Sequence, residues 1–118
     1  MTNFKNTRKI TVRFSSPLRN EMQQAIVLSG YGLHGKSRWL KDAIGAFLNL
    51  PNYAEYIEQG IQINQAELNQ VEAFYIENET SQALKKALME IRMKYPLYEG
   101  VQSALIRAAV VYKIMLKN

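Results

Sequence analysis

The segment Lys9-Ile10-Thr11-Val12-Arg13-Phe14 alternates polar and apolar residues with a period of two. In an extended strand, successive side chains point to opposite faces. Ile10, Val12 and Phe14 then share one face, which needs a core. Lys9, Thr11 and Arg13 share the other, about 6.6 Å apart along the strand. A lone strand with one apolar face and two unpaired edges is not stable in water. It needs a second strand and a cover for its apolar side, from the rest of the chain or from a second molecule.

Helical signals follow at once. Ser16 suits an N-cap and Pro17 the first helical position, where a missing N–H costs nothing. Leu18, Met22, Ala25 and Ile26 recur at helical spacing. Gly30 and Gly32 are natural left-handed terminators, so this helix is expected to end near Ser29-Gly30. Ser37 is a second candidate N-cap. Trp39, Leu40, Ala43, Ile44, Phe47 and Leu48 form the apolar stripe of a second helix, which Pro51 stops. Trp39 lies on that stripe and is expected in the core rather than stacked on a base.

Residues 51–60 predict a short acidic helix closed by Gly60, and residues 61–70 a polar connector. The opening order then recurs. Glu72-Ala73-Phe74-Tyr75-Ile76 alternates weakly, with Phe74 and Ile76 as core candidates. Asn78 is a candidate cap for a helix carrying Ala83, Leu84, Ala87, Leu88 and Ile91, broken at Tyr95-Pro96. Gly100 precedes a last helix with Val101, Ala104, Leu105, Ala108, Ala109, Tyr112, Met115 and Leu116 on one side. An offset of 62 lays Ile76 on Phe14, Leu84 on Met22 and Leu88 on Ile26. The expected organisation is a unit over residues 8–50, a linker with a short helix over 51–70, and a second, degenerate unit over 71–118.

Charge is concentrated in the first unit. Residues 1–50 carry eight basic and two acidic side chains, a net +6, and residues 51–118 seven basic and eight acidic, a net −1. A basic half beside a near-neutral half suggests a polyanion-binding face confined to the first. The chain has no cysteine and one histidine, His34, which excludes disulfides, thiolate metal sites and multi-histidine sites. His34 sits in a glycine-rich turn with no acid beside it in sequence, so no catalytic residue is expected, and no cofactor. Apolar runs fall far short of the roughly 18 residues that span a membrane, and no secretory signal is visible at Met1. A cytoplasmic protein without a membrane partner is expected.

Strand, helix, glycine turn and helix over residues 8–50 resemble the ribbon-helix-helix superfamily of Arc and MetJ type. The resemblance implies a mainly α fold with a short β-ribbon, two such units forming a pseudo-dimer in one chain. It implies sequence-specific binding of double-stranded DNA, with two antiparallel strands in the major groove. The outward residues Lys9, Thr11 and Arg13 would read bases, where Arg and Lys donate to guanine O6 and N7. In that family the start of the second helix sits on a phosphate through a Gly-x-Ser/Thr turn, which Gly35-Lys36-Ser37-Arg38 matches. Its unpaired N–H groups and partial positive charge suit a phosphate. Arg8 joins these four as an expected phosphate contact. The second strand departs from the pattern, because Val71, Ala73 and Tyr75 stand where Lys9, Thr11 and Arg13 stand in the first, and Glu72, Glu77 and Glu79 add negative charge. Either Tyr75 contacts a base or a thymine methyl, or this strand mainly supports the other. The tandem order is similar to TraY-type accessory proteins of plasmid conjugation. It implies either transcriptional repression, often autoregulatory, or relaxosome assembly, with further copies of the chain or a relaxase as partners. Whether the ribbon forms within one chain or between two stays open at this point.

Two other classes compete. One is a helical protein-interaction module whose basic face is incidental. The other is a nucleotide-binding P-loop, because Gly30-Tyr31-Gly32-Leu33-His34-Gly35-Lys36-Ser37 satisfies G-x-x-x-x-G-K-[ST]. Against the latter, Asp42 is the only aspartate and follows no apolar strand that would make it a magnesium ligand. A chain of 118 residues also leaves little room for a covered parallel sheet. If Gly30–Ser37 is a turn between helices, ATP or GTP with Mg²⁺ leaves the melting temperature unchanged. A nucleotide bound at 100 times its Kd would add about 2.7 kcal/mol of stability, visible in a thermal scan.

Overall fold

Two strands from opposite halves of the sequence pair with each other. The computed structural model describes residues 7–32, 35–61 and 67–116. Strand β1 (Thr7–Phe14) lies antiparallel to β2 (Gln70–Glu77) in a two-stranded sheet. Lys9 faces Tyr75, Thr11 faces Ala73 and Arg13 faces Val71 on one side of the ribbon. Ile10 faces Phe74, Val12 faces Glu72 and Phe14 faces Gln70 on the other. Thr11 and Ala73, a facing pair near the middle of the ladder, are themselves 62 apart. Ile10, Val12, Phe14, Phe74 and Ile76 are buried, as the alternation requires. The rings of Phe14 and Phe74 meet edge to face at 6.2 Å.

The helices α1 (Ser16–Ser29), α2 (Gly35–Leu48), α3 (Tyr53–Ile61), α4 (Asn78–Lys94) and α5 (Val101–Met115) complete a mainly α-helical fold. Among the described residues no helix is long and apolar enough to cross a membrane. The α2 stripe behaves as its spacing demands: Trp39, Leu40, Ala43, Ile44 and Phe47 are buried and Leu48 is half-buried. This face packs on α5, and α5 also touches α1, α3, α4 and β1.

That central position explains a departure from the expected α5 stripe. Ile106, Arg107 and Val110 are buried beside Val101, Ala104, Leu105 and Ala109, while Ala108 and Tyr112 are half-buried. Met115 and Leu116, expected on the apolar side, are exposed at 66% and 59% at the C-terminal end of α5. A helix surrounded on several sides has no single apolar stripe to find. On α4, Leu84, Ala87, Leu88 and Ile91 are buried, but Ala83 is exposed and Thr80 and Ser81 take the inner positions of the first turn.

Helix ends differ from expectation by short steps. The N-cap of α1 is Ser15, whose Oγ accepts from the Leu18 N–H at 3.3 Å. Ser16 is already helical and its Oγ donates to Asn69 Oδ1 at 3.2 Å. Gly30 closes α1 in the left-handed conformation, φ 79°, as expected. Helix α2 starts at Gly35, so Ser37 lies inside its first turn rather than capping it. Helix α3 runs through Gly60 to Ile61. The cap position of α4 is Glu77, not Asn78, and no side-chain hydrogen bond caps that helix. Tyr95 closes it ahead of Pro96.

The register gives a direct test of the pairing. Facing Cα atoms in an antiparallel ribbon lie about 4.5–5.5 Å apart, within disulfide range. The chain has no native cysteine, so a Thr11→Cys, Ala73→Cys variant oxidises to an intramolecular disulfide. On a non-reducing gel of dilute protein it runs as a fast monomer. Exclusive covalent dimers would show that β1 pairs with another molecule in solution.

Candidate nucleic-acid interface

The outer face of the ribbon carries Lys9, Thr11 and Arg13 on β1 and Val71, Ala73 and Tyr75 on β2. All are exposed except Ala73, which is half-buried. Val71 and Tyr75 show 60% and 50% of their surface. Adjacent strands lie about 4.8 Å apart, so this is one patch with cations on one edge and apolar groups on the other. Among the described residues, neither Lys9 nor Arg13 has an ion-pair partner. Their donors are available to a ligand. A major groove about 12 Å wide admits a two-stranded ribbon. The cationic row suits guanine O6 and N7, and Val71 and Tyr75 suit a thymine methyl.

The expected phosphate contacts divide. Arg8 is exposed but faces Ile76, on the core-side parity at the end of the ribbon, so it does not extend the outer row. Gly35 is buried and its N–H donates to Gly32 O at 3.1 Å. A Cβ at this position would collide with Cβ of Tyr31, so the turn accepts only glycine here. The Ser37 hydroxyl accepts from the Tyr75 N–H at 2.9 Å, which fastens the start of α2 to the edge of β2. The Lys36 ammonium sits 3.1 Å from Glu72 Oε1 and 5.2 Å from the Phe74 ring centroid. Arg38 is exposed, and its guanidinium lies 4.5 Å over the Tyr31 ring. Tyr31 in turn donates to Asp42 Oδ2, a bond that raises its pKa. Of the Gly35–Arg38 turn, only Arg38 keeps its charge turned to solvent without an acidic partner among the described residues. His34 and Leu33 lie outside those residues. Ala25–Ser29 belongs to α1, so no strand leads into the Gly30–Ser37 run.

The residue that organises this corner is Glu72. It is 8% exposed on the core face of β2 and holds Arg19 Nε at 2.8 Å and Lys36 Nζ at 3.1 Å. Burial pushes its pKa up, but hydrogen bonds from Arg19 and Lys36, and their charges, outweigh this and hold it below the usual carboxylate range. The signal was present in the parity of β2, since Glu72 stands two residues before Phe74 on the inward face. A second buried charge, Arg107, sits mid-helix at 6% exposure and donates through Nη1 to Arg13 O at 3.0 Å. No family model, no curated protein and no solved structure matches the chain.

Glu72→Gln leaves two cations without their shared carboxylate. Arg19 and Lys36 keep 34% and 38% of their side chains exposed. The cost is therefore about 1–3 kcal/mol, between the values of exposed and fully buried pairs. A lowered folded pKa contributes stability that is present above the ordinary carboxylate value and is lost as pH falls through the folded one. Urea titrations at a series of pH values show wild type and variant well separated at pH 7. They converge only as pH falls below the ordinary carboxylate range. A constant separation down to acid pH would show that the charge on Glu72 is not what stabilises this corner.

Proposed function

We propose that the chain is a sequence-specific double-stranded DNA-binding protein of the ribbon-helix-helix kind, with residues 8–50 and 71–118 as two units of one pseudo-dimer. The outer face of β1 and β2 enters the major groove. The observation that carries this reading is the row Lys9, Thr11, Arg13, exposed and without ion-pair partners among the described residues, on a two-stranded ribbon. The pairing of Thr11 with Ala73 supports the pseudo-dimer, because the 62-residue offset exchanges the two strands about that pair. The bond between Ser37 and the Tyr75 N–H also supports it, since it holds the start of α2 beside the ribbon, within reach of a flanking phosphate.

The two edges of the ribbon read differently. β1 contributes charge-assisted donors for guanine, and β2 contributes Val71 and Tyr75 for thymine methyl groups. The DNA site is then not a palindrome. In a cytoplasmic setting this binding serves repression of transcription, often of the protein's own gene, or assembly of a conjugative relaxosome with further copies or a relaxase. Both uses employ the same contacts.

Arg13→Ala and Lys9→Ala each weaken binding to the cognate site by about 1–3 kcal/mol and relax the preference at one base position. Arg38→Ala weakens binding to all sequences alike and lowers the slope of log K against log salt by about one. Lys36→Ala is a poorer probe, because it also strips a partner from Glu72. Salt-dependent titrations against cognate and scrambled duplex separate these effects. If Arg13→Ala and Lys9→Ala keep the wild-type specificity ratio, the ribbon is not the reading element.

A further inference from the structure

Helix α4 is apolar on two sides. Leu84, Ala87, Leu88 and Ile91 face the core and are buried. Met89 and Met93 stand one turn apart on the opposite side and show 66% and 83% of their surface. Lys86 lies in the same row, one turn before Met89, and Lys85 and Arg92 form a row beside it. All three cations are exposed. Leu97, in the turn that follows α4, is 91% exposed. A single exposed apolar side chain is ordinary. Two methionines in line at the middle of a solvent face are not, because that face of a helix normally carries polar groups.

Charge gathers around the same two side chains. Residues 51–118 carry seven cations, and four of them, Lys85, Lys86, Arg92 and Lys94, fall within residues 85–94. None of the four is in an ion pair among the described residues. The single acid of that stretch, Glu90, accepts a hydrogen bond from the Tyr53 hydroxyl, which ties it to α3. A half of the chain that is nearly neutral thus holds a local net charge of +3 over ten residues. An occupant has to answer both features. Carboxylates answer the cations, and apolar side chains answer the methionines, whose unbranched thioethers adapt to what lies on them. The aliphatic stems of Lys85, Lys86 and Arg92 widen the apolar strip. A nucleic-acid backbone matches the cations but sets phosphates against Met89 and Met93. A lipid surface calls for a broad apolar face, and the broad apolar face of α4 is already in the core. The α4 face of a second copy carries the same charge and is repelled.

We propose that Lys85, Lys86, Met89, Arg92 and Met93 form a docking surface for an acidic amphipathic segment of a partner protein. The segment lays apolar side chains on the methionines and sets carboxylates against the flanking cations. The surface belongs to the second half of the chain and stands whether or not the ribbon reads DNA.

The probe is a synthetic helix with leucine at i, i+4, i+7 and i+11 and with glutamate and alanine elsewhere. A control helix of the same length and charge has glutamine in place of each leucine. The full chain, labelled with carbon-13 at its five methionine methyl groups, is titrated with each by NMR. The leucine helix moves the Met89 and Met93 signals in a saturable way, and the glutamine helix does not. Affinity is read separately from the fluorescence anisotropy of the labelled leucine helix. A Met89→Gln, Met93→Gln variant binds it more weakly by about tenfold or more. A Lys85→Gln, Lys86→Gln, Arg92→Gln variant is weakened as well and loses most of the salt dependence. All five side chains are exposed, so both variants keep the fold. Equal binding of the two helices reduces the surface to a patch of charge and overturns the proposal. So does wild-type affinity in either variant, or a titration that leaves Met89 and Met93 unmoved. Movement of these two signals on raising the concentration of protein alone assigns the face to a second copy and overturns it too. Their movement by duplex DNA or by vesicles of phosphatidylglycerol and phosphatidylcholine, with none by the leucine helix, does the same in favour of nucleic acid or lipid.

Discussion

The hydrogen-bonded pairing of β1 with β2 is the condition for everything else in this fold. Each strand has one apolar face and no other strand to lie against among the described residues. Once they pair, Ile10, Val12 and Phe14 come level with Phe74 and Ile76, and a single apolar floor exists for helices to cover. The cover is assembled from both halves of the sequence. Trp39, Ile44 and Phe47 come from α2, and Leu105, Ile106 and Ala109 from α5, and these two helices pack against each other. Neither half holds a complete core, so burial and strand pairing are gained in one step. Fully burying side chains of this size contributes about 1.5–3 kcal/mol each, against a comparable loss of chain entropy.

Glu72 gives that pairing its direction. Under the 62-residue offset the position of Glu72 corresponds to Ile10. The first strand thus presents an apolar side chain where the second presents a carboxylate. Arg19 and Lys36, both from the first half, converge on that carboxylate from α1 and α2. A ribbon made of two copies of β1 would offer them only Ile10. The ion triad therefore distinguishes the two strands at the level of the core face, just as charge distinguishes them on the outer face.

Much of this was legible in the chain of residues. The period-two alternation of 9–14 placed Lys9, Thr11 and Arg13 outward, and the helical spacing of Trp39 to Phe47 placed that stripe inward. These signals are local, and each repeats several times within one element. The misplaced features are those fixed by a single contact or by a distant one. The cap of α1 depends on one hydroxyl, and two adjacent serines offered it. Ser37 is fastened to a strand 38 residues away, and Lys36 to an acid 36 residues away. Their occupation is invisible until the ribbon is built. Arg107 gives no signal in the sequence, because it interrupts an apolar run on a helix that is enclosed on several sides, where periodicity carries no information about what is inside.

The connection between the strands has a further consequence. A ribbon formed by two separate molecules obeys mass action and comes apart on dilution. Here residues 15–69 tie one strand to the other, so the pairing is governed by a fixed effective concentration set by the tether. The ribbon then persists at any number of molecules per cell, down to one. Closing a loop of this length costs only a logarithmic penalty in entropy, but it must be met before the core rewards it, so the folding rate is where the long connection is felt. Dilution, which disarms a two-molecule ribbon, leaves this one intact.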